Sequence, residues 1–123
     1  MNKDQYFFRC VIFSRNKTNV AIADIYNPSQ ISELEPWFGT VISLADGQHT
    51  LQDLIDYLSA QYDETPTNLE ETVVSVIERL IEGKMILLNE NKVDLPYYLA
   101  NPIEELDINK AKTLIEKDGY VFH

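Results

Sequence analysis

The apolar residues of this chain change period at Pro36, and that change dictates a sheet followed by helices. Before it, residues 6–14 (Tyr-Phe-Phe-Arg-Cys-Val-Ile-Phe-Ser) and 19–26 (Asn-Val-Ala-Ile-Ala-Asp-Ile-Tyr) are dense in β-branched and aromatic types, with polar residues 15–18 between them. That pattern predicts a β-hairpin. Strand side chains alternate, so Tyr6, Phe8, Cys10 and Ile12 share one face while Phe7, Arg9, Val11, Phe13 and Arg15 share the other. Asn27-Pro28-Ser29 reads as a turn, and the alternation of Gln30, Ile31, Ser32, Glu33 and Leu34 predicts a short third strand.

Pro36 suits a first helical position, where its missing N–H is no loss. Trp37, Phe38, Val41, Ile42 and Leu44 supply the apolar faces of a first helix, weakened by Gly39 and stopped by Asp46-Gly47. Thr50 is a cap for a second helix carrying Leu51, Leu54, Ile55 and Leu58 on one stripe and ending at Tyr62. Thr67 and Glu70 have the spacing of a capping box for a third helix over 68–82, closed by Gly83 as a left-handed terminal residue. Residues 85–88 and 92–95 then read as two strands of a wing around the turn 89–91.

The predicted fold is therefore α+β, a winged helix-turn-helix. It has a three-stranded antiparallel N-terminal sheet, three helices and a C-terminal β wing, in a domain over residues 1–95. Residues 96–123 are an extension, partly helical, in which Ile108, Ala111, Leu114 and Ile115 form a stripe before Asp118-Gly119.

With 123 residues, 45% hydrophobic and 24% charged, the chain is long enough to bury a core without disulfides or a structural metal. A lone Cys10 beside only His49 and His123 provides no spacing for a zinc or iron–sulfur cage. No metal and no other cofactor is expected. The first residues lack a basic segment followed by an apolar one, and no run approaches a membrane span, which points to a cytoplasmic protein without membrane attachment. His49 reads as an exposed loop histidine, Cys10 as a small buried hydrophobe, and Glu70-Glu71 and Glu104-Glu105 as solvated helix surface. There is no phosphate loop, nucleophile elbow or metal triad. These absences describe a binding module with no catalytic residue.

The third helix is more specific. Leu69, Val73, Val76, Ile77 and Leu80 form a stripe wide enough for a core, while Val74 and Ile81 lie on its flank, rimmed by Glu70 and Glu78. Either the tail or the wing covers that flank, or it edges a groove. An apolar strip beside an open strand is what β-augmentation requires: backbone hydrogen bonds hold an added strand and helix pockets select its side chains.

Residues 33–47 (Glu-Leu-Glu-Pro-Trp-Phe-Gly-Thr-Val-Ile-Ser-Leu-Ala-Asp-Gly), then Thr50-Leu51-Gln52-Asp53-Leu54, and residues 76–86 (Val-Ile-Glu-Arg-Leu-Ile-Glu-Gly-Lys-Met-Ile) resemble the PqqD family over roughly residues 5–90. Glu35 stands where that family usually has Asn, Trp37 and Phe38 replace small residues, and residues 95–123 have no counterpart in its core. The resemblance implies a RiPP recognition element, a non-catalytic chaperone for a ribosomally made precursor peptide. Such a domain binds the leader and presents the core to a modifying enzyme, frequently a radical SAM protein. It also implies that the leader adds to the third strand and lies along the third helix. Carried over, the peptide site is Gln30, Ile31, Ser32, Glu33 and Leu34 with Glu70, Val74, Ile77, Glu78 and Ile81. Arg9, Arg15 and Lys17 are either contacts for acidic leader residues or solvated.

The same helix order serves winged-helix DNA regulators. A recognition helix for DNA needs cations, yet residues 68–83 hold Glu70, Glu71, Glu78 and Glu82 against Arg79 alone, within a chain of net charge −10. Nucleic acid is not an expected partner. A third alternative is an oligomerisation or enzyme-docking subunit, a homodimer included, with Pro96-Tyr97-Tyr98-Leu99 and the last helix as the interface.

Overall fold

Both faces of the run 6–14 carry apolar bulk, and two different partners claim its halves. Residues 2–17, 19–61, 64 and 67–119 are described in a computed structural model of the chain, with the backbone alone described for residues 28–30. Instead of one strand, the run forms β1 (Tyr6–Arg9) and β2 (Phe13–Asn16), separated by a bend. β1 is the central strand of a sheet completed by β5 (Asp46–Thr50) and β6 (Ile86–Asn89). β2 pairs with β3 (Asn19–Asp24), and β3 with β4 (Asn27–Glu33), giving the expected three-stranded antiparallel sheet with shifted strand limits. Residues 27–29 belong to β4. The tight turn lies earlier, where Asp24 Oδ1 accepts the N–H of Tyr26.

The helices are α1 (Pro36–Leu44), α2 (Leu51–Ser59) and α3 (Leu69–Glu82), followed by α4 (Tyr97–Ala100), a 3₁₀ turn at Ile103–Glu105 and α5 (Ile108–Asp118). The whole is a mixed α+β, winged-helix-like arrangement. Among the described residues no helix is long and apolar enough to cross a membrane.

The caps follow local chemistry. Thr50 and Asp53 form a reciprocal capping box on α2, as the Thr-led start predicts; the expected end at Tyr62 lies outside the described residues. The box expected at Thr67 and Glu70 does not form. Asn68 is the N-cap of α3 without a side-chain bond, and Glu70 pairs with Lys3. Gly83 keeps a φ of −79° and the left-handed residue is Lys84, at 59°.

Residues 92–95 do not form the second wing strand, and β6 ends its sheet beside β1. They cross Gly47 instead, whose carbonyl accepts the N–H of Val93. A Cβ on Gly47 would lie 2.2 Å from the Val93 carbonyl oxygen, and its φ is +79°, so glycine is required there twice over. Gly39 has a different reason: a Cβ there would be 3.0 Å from that of Val20, so its absence lets α1 lie close on β3.

Two apolar clusters result. The main core joins Phe7, Phe13, Val20, Ile42, Leu54, Val73, Ile77 and Leu80. A second cluster packs Tyr98, Leu99, Ile103, Leu106, Ala111 and Ile115 against Ile12, Ala23 and Ile25 of the hairpin. Arg9 stands between them, only 2% exposed. Its guanidinium donates to the carbonyls of Ile42 and Ser43 in the last turn of α1 and of Leu99 and Ala100 at the end of α4, at 2.6–3.3 Å. The charge thereby satisfies orphan acceptors at the negative ends of two helices, and it lies 4.2 Å from the Phe13 ring. Burial pushes its pKa down to about 10, against the opposing attraction of Asp46. Arg9 is therefore neither solvated nor available to a leader peptide.

Candidate functional site

Pairing in an antiparallel ladder alternates between residues whose backbone groups face the partner strand and residues whose groups face away. In β4 the phase is fixed by Leu34, whose N–H donates to the Val20 carbonyl at 3.1 Å. Ser32, opposite Ile22, shares that inward phase, which turns the N–H and C=O groups of Ile31 and Glu33 out of the sheet. Those outward N–H groups have no partner among the described residues. The edge is thus an unpaired template across the predicted peptide-binding strand.

The same register assigns the side chains. Ser32 lies on the face of Val20 and Ile22, towards the main core, with Leu34 half-buried against it. Ile31 and Glu33 lie on the face of Ala21 and Ala23, where the C-terminal segment packs. Ile31 is 50% exposed, and the side chain of Gln30 lies outside the described residues. In the β3–β4 turn, Tyr26 is 58% exposed, with the Lys112 ammonium 5.7 Å from its ring. Tyr26 and Lys112 were missed by sequence reasoning. Their only signal was an aromatic residue at a turn, and nothing in the sequence places α5 beside it.

A cavity of about 310 Å³ opens at the C-terminal end of β4, lined by Asn19, Val20, Glu33, Leu34, Pro36 and Thr40. The first turn of α1 forms one wall, and the Thr40 hydroxyl donates to the Pro36 carbonyl.

On α3, Val74 and Ile81 are half-buried, with Ile81 packed against the main core. Ile77 is 0% exposed inside that core, so its side chain faces no open surface. Glu78 is exposed, and the expected partner Glu70 is engaged with Lys3 near the start of α2. β4 and α3 share no extensive packing; α1 stands between them, packed on β3 and on α3. The structure thus groups Glu33 and Leu34 with α1 around the cavity, and leaves the α3 residues as a separate face. Among the described residues the apolar cluster of the C-terminal segment includes no α3 side chain.

His49 Nδ1 lies 2.9 Å from Asp46 Oδ1 at the β5 end, half-exposed. Burial pushes the half-buried Cys10 thiol up, away from its reactive form. Among the described residues no group of three or more His, Cys, Asp or Glu side chains is placed to hold a metal.

No curated protein and no solved structure matches the chain. A family profile does, that of coenzyme PQQ synthesis protein D, over residues 25–86, from the β3–β4 turn through the first residue of β6. This is half of the chain, and it contains β4, all three core helices and the β4 and α1 walls of the cavity, whose other wall is Asn19 and Val20 of β3. The chain belongs to the PqqD family.

Proposed function

We propose that this protein is a non-catalytic peptide chaperone that takes up the leader of a ribosomally synthesised precursor as an added strand on β4. The observation that carries this reading is the open edge itself: Ile31 and Glu33 direct unpaired backbone groups outward, within the residues that the PqqD profile matches. Each bonded pair along such an edge contributes on the order of 1 kcal/mol, and side-chain sockets supply selectivity. The cavity between β4 and α1 is the nearest socket, while Ile31 and Tyr26 offer an apolar contact on the other face. Ser32, Leu34, Val74, Glu78 and Ile81 complete the proposed surface, with Gln30 and Glu70 at its margins and Ile77 supporting it from the core. The bound precursor would then be delivered to a modifying enzyme, for which a radical SAM protein is the family-based candidate. The acidic residues of α3 oppose a nucleic-acid partner.

The test is a titration of the isotopically labelled protein with a synthetic peptide spanning the leader of a short precursor-like reading frame, sought beside the gene for this chain. The Ile31 and Glu33 amides are expected to shift and to gain protection from hydrogen exchange. Shifts confined to residues distant from β4, α1 and α3 would sink the reading.

A further inference from the structure

A three-stranded sheet has two outer strands, and β2 is the other one. Its residues Ser14 and Asn16 face β3 in the ladder, opposite Ala21 and Asn19, so the backbone groups of Phe13 and Arg15 face outward. Here the template is occupied. The outward N–H of Arg15 donates to Glu104 Oε1 at 3.1 Å, and the Ser14 hydroxyl donates to the other oxygen of the same carboxylate. The 3₁₀ turn that carries Glu104 packs along β2, and Glu105 lies 3.8 Å from the Arg15 guanidinium. Glu104 Oε1 therefore sits where the carbonyl of an added strand would accept.

We propose that Glu104 is the residue that determines which edge of the sheet accepts a strand: it closes β2, so that a peptide can add only at β4. This rests on the reading of β4 as the peptide edge. A strand approaching β2 would bring its own carbonyls against a carboxylate that only accepts, and its backbone against the 3₁₀ turn. Burial alone would raise the Glu104 carboxyl, but hydrogen bonds from Ser14 and from backbone N–H groups, with the charge of Arg15, hold it below the usual carboxylate range. The guard is therefore ionised at neutral pH. It lies outside residues 25–86, so it is supplied by this chain's C-terminal segment and not by the part that the family profile matches.

The test uses the full chain with Glu104→Ala and Glu104→Gln. Loss of one hydrogen bond to a charged acceptor is expected to speed exchange of the Arg15 amide by roughly ten- to a hundredfold, with central-strand amides such as Ala21 unchanged. Sedimentation equilibrium is expected to show self-association of Glu104→Ala that persists when Ile31→Pro removes an outward donor from β4, because the second copy pairs through β2. An Arg15 amide within twofold of its native exchange rate would overturn the proposal, as would faster exchange with no self-association. If Glu104→Ala fails to fold, Glu104→Gln carries the same exchange criterion, with an intermediate acceleration expected because one amide oxygen still accepts. A leader that leaves the Ile31 and Glu33 amides unprotected would remove the peptide reading without touching the Arg15 result.

Discussion

Along β2 the outward N–H of Arg15 is held by Glu104 and a 3₁₀ turn packs on the strand, whereas along β4 the outward groups of Ile31 and Glu33 meet no partner among the described residues. The strands belong to one sheet and flank the same β3. What separates them is a segment about ninety residues later in the chain, which covers one edge and leaves the other open. Unprotected edges are the usual route to unwanted strand pairing. On the proposed reading, covering one and keeping the other turns a general liability into a directional site.

The largest effect is expected at the anchor of that covering segment. Arg9→Met removes a buried cation that serves four carbonyls, and chemical denaturation should show a loss of about 3 kcal/mol or more. A loss below about 1 kcal/mol would mean that the segment is held to β2 by its apolar cluster alone. Gly47→Ala, which forces a Cβ against Val93 in the other sheet, should cost about 2 kcal/mol. Amide shifts on β2 and β4 should nevertheless stay in place, which shows the hairpin sheet to be structurally separable. Ile31→Pro deletes one outward donor from an edge position where no intramolecular bond is lost. Leader affinity, by calorimetry, should fall roughly tenfold with little change in stability; unchanged affinity would break the contrast between the edges.

The smallest effect is a pH dependence of the guarded edge. The folded-state carboxyl of Glu104 titrates below the usual carboxylate range, so its contribution is present above the ordinary glutamate value and is lost as the pH falls through the lower folded one. An NMR titration should show the Arg15 amide shifting in that acid window, with the Ile31 amide insensitive to the same transition.

The helical half of the chain was legible because its periodicity is carried by many residues at once. Leu51, Leu54, Ile55 and Leu58 bury together, as do Leu69, Val73, Val76, Ile77 and Leu80. The third strand was legible from alternation, although its start at Asn27 was hidden by residues typical of turns. The division of residues 6–14 between two sheets was not, since both halves have strand composition and the division depends on which distant partner pairs with each. Arg9 and Glu104 were hidden for a related reason. Local sequence describes them as a strand charge and a helix-surface charge, and only packing of the C-terminal segment on the hairpin converts them into buried or edge-binding groups. Ile77 shows the opposite limit: periodicity placed it in the core stripe, the family resemblance placed it in the peptide site, and close packing keeps it in the core.

The bonds of Arg9 also set a clock on synthesis. Its acceptor at Leu99 lies 90 residues downstream, and at about 5–20 residues per second a nascent chain needs on the order of 5–20 s to deliver it. Through that interval the guanidinium remains hydrated and β2 lacks its cover, while β3 and β4 have already been made. The interval in which this chain is most exposed to wrong strand pairing is thus fixed by the distance along its own message between Arg9 and the segment that completes it.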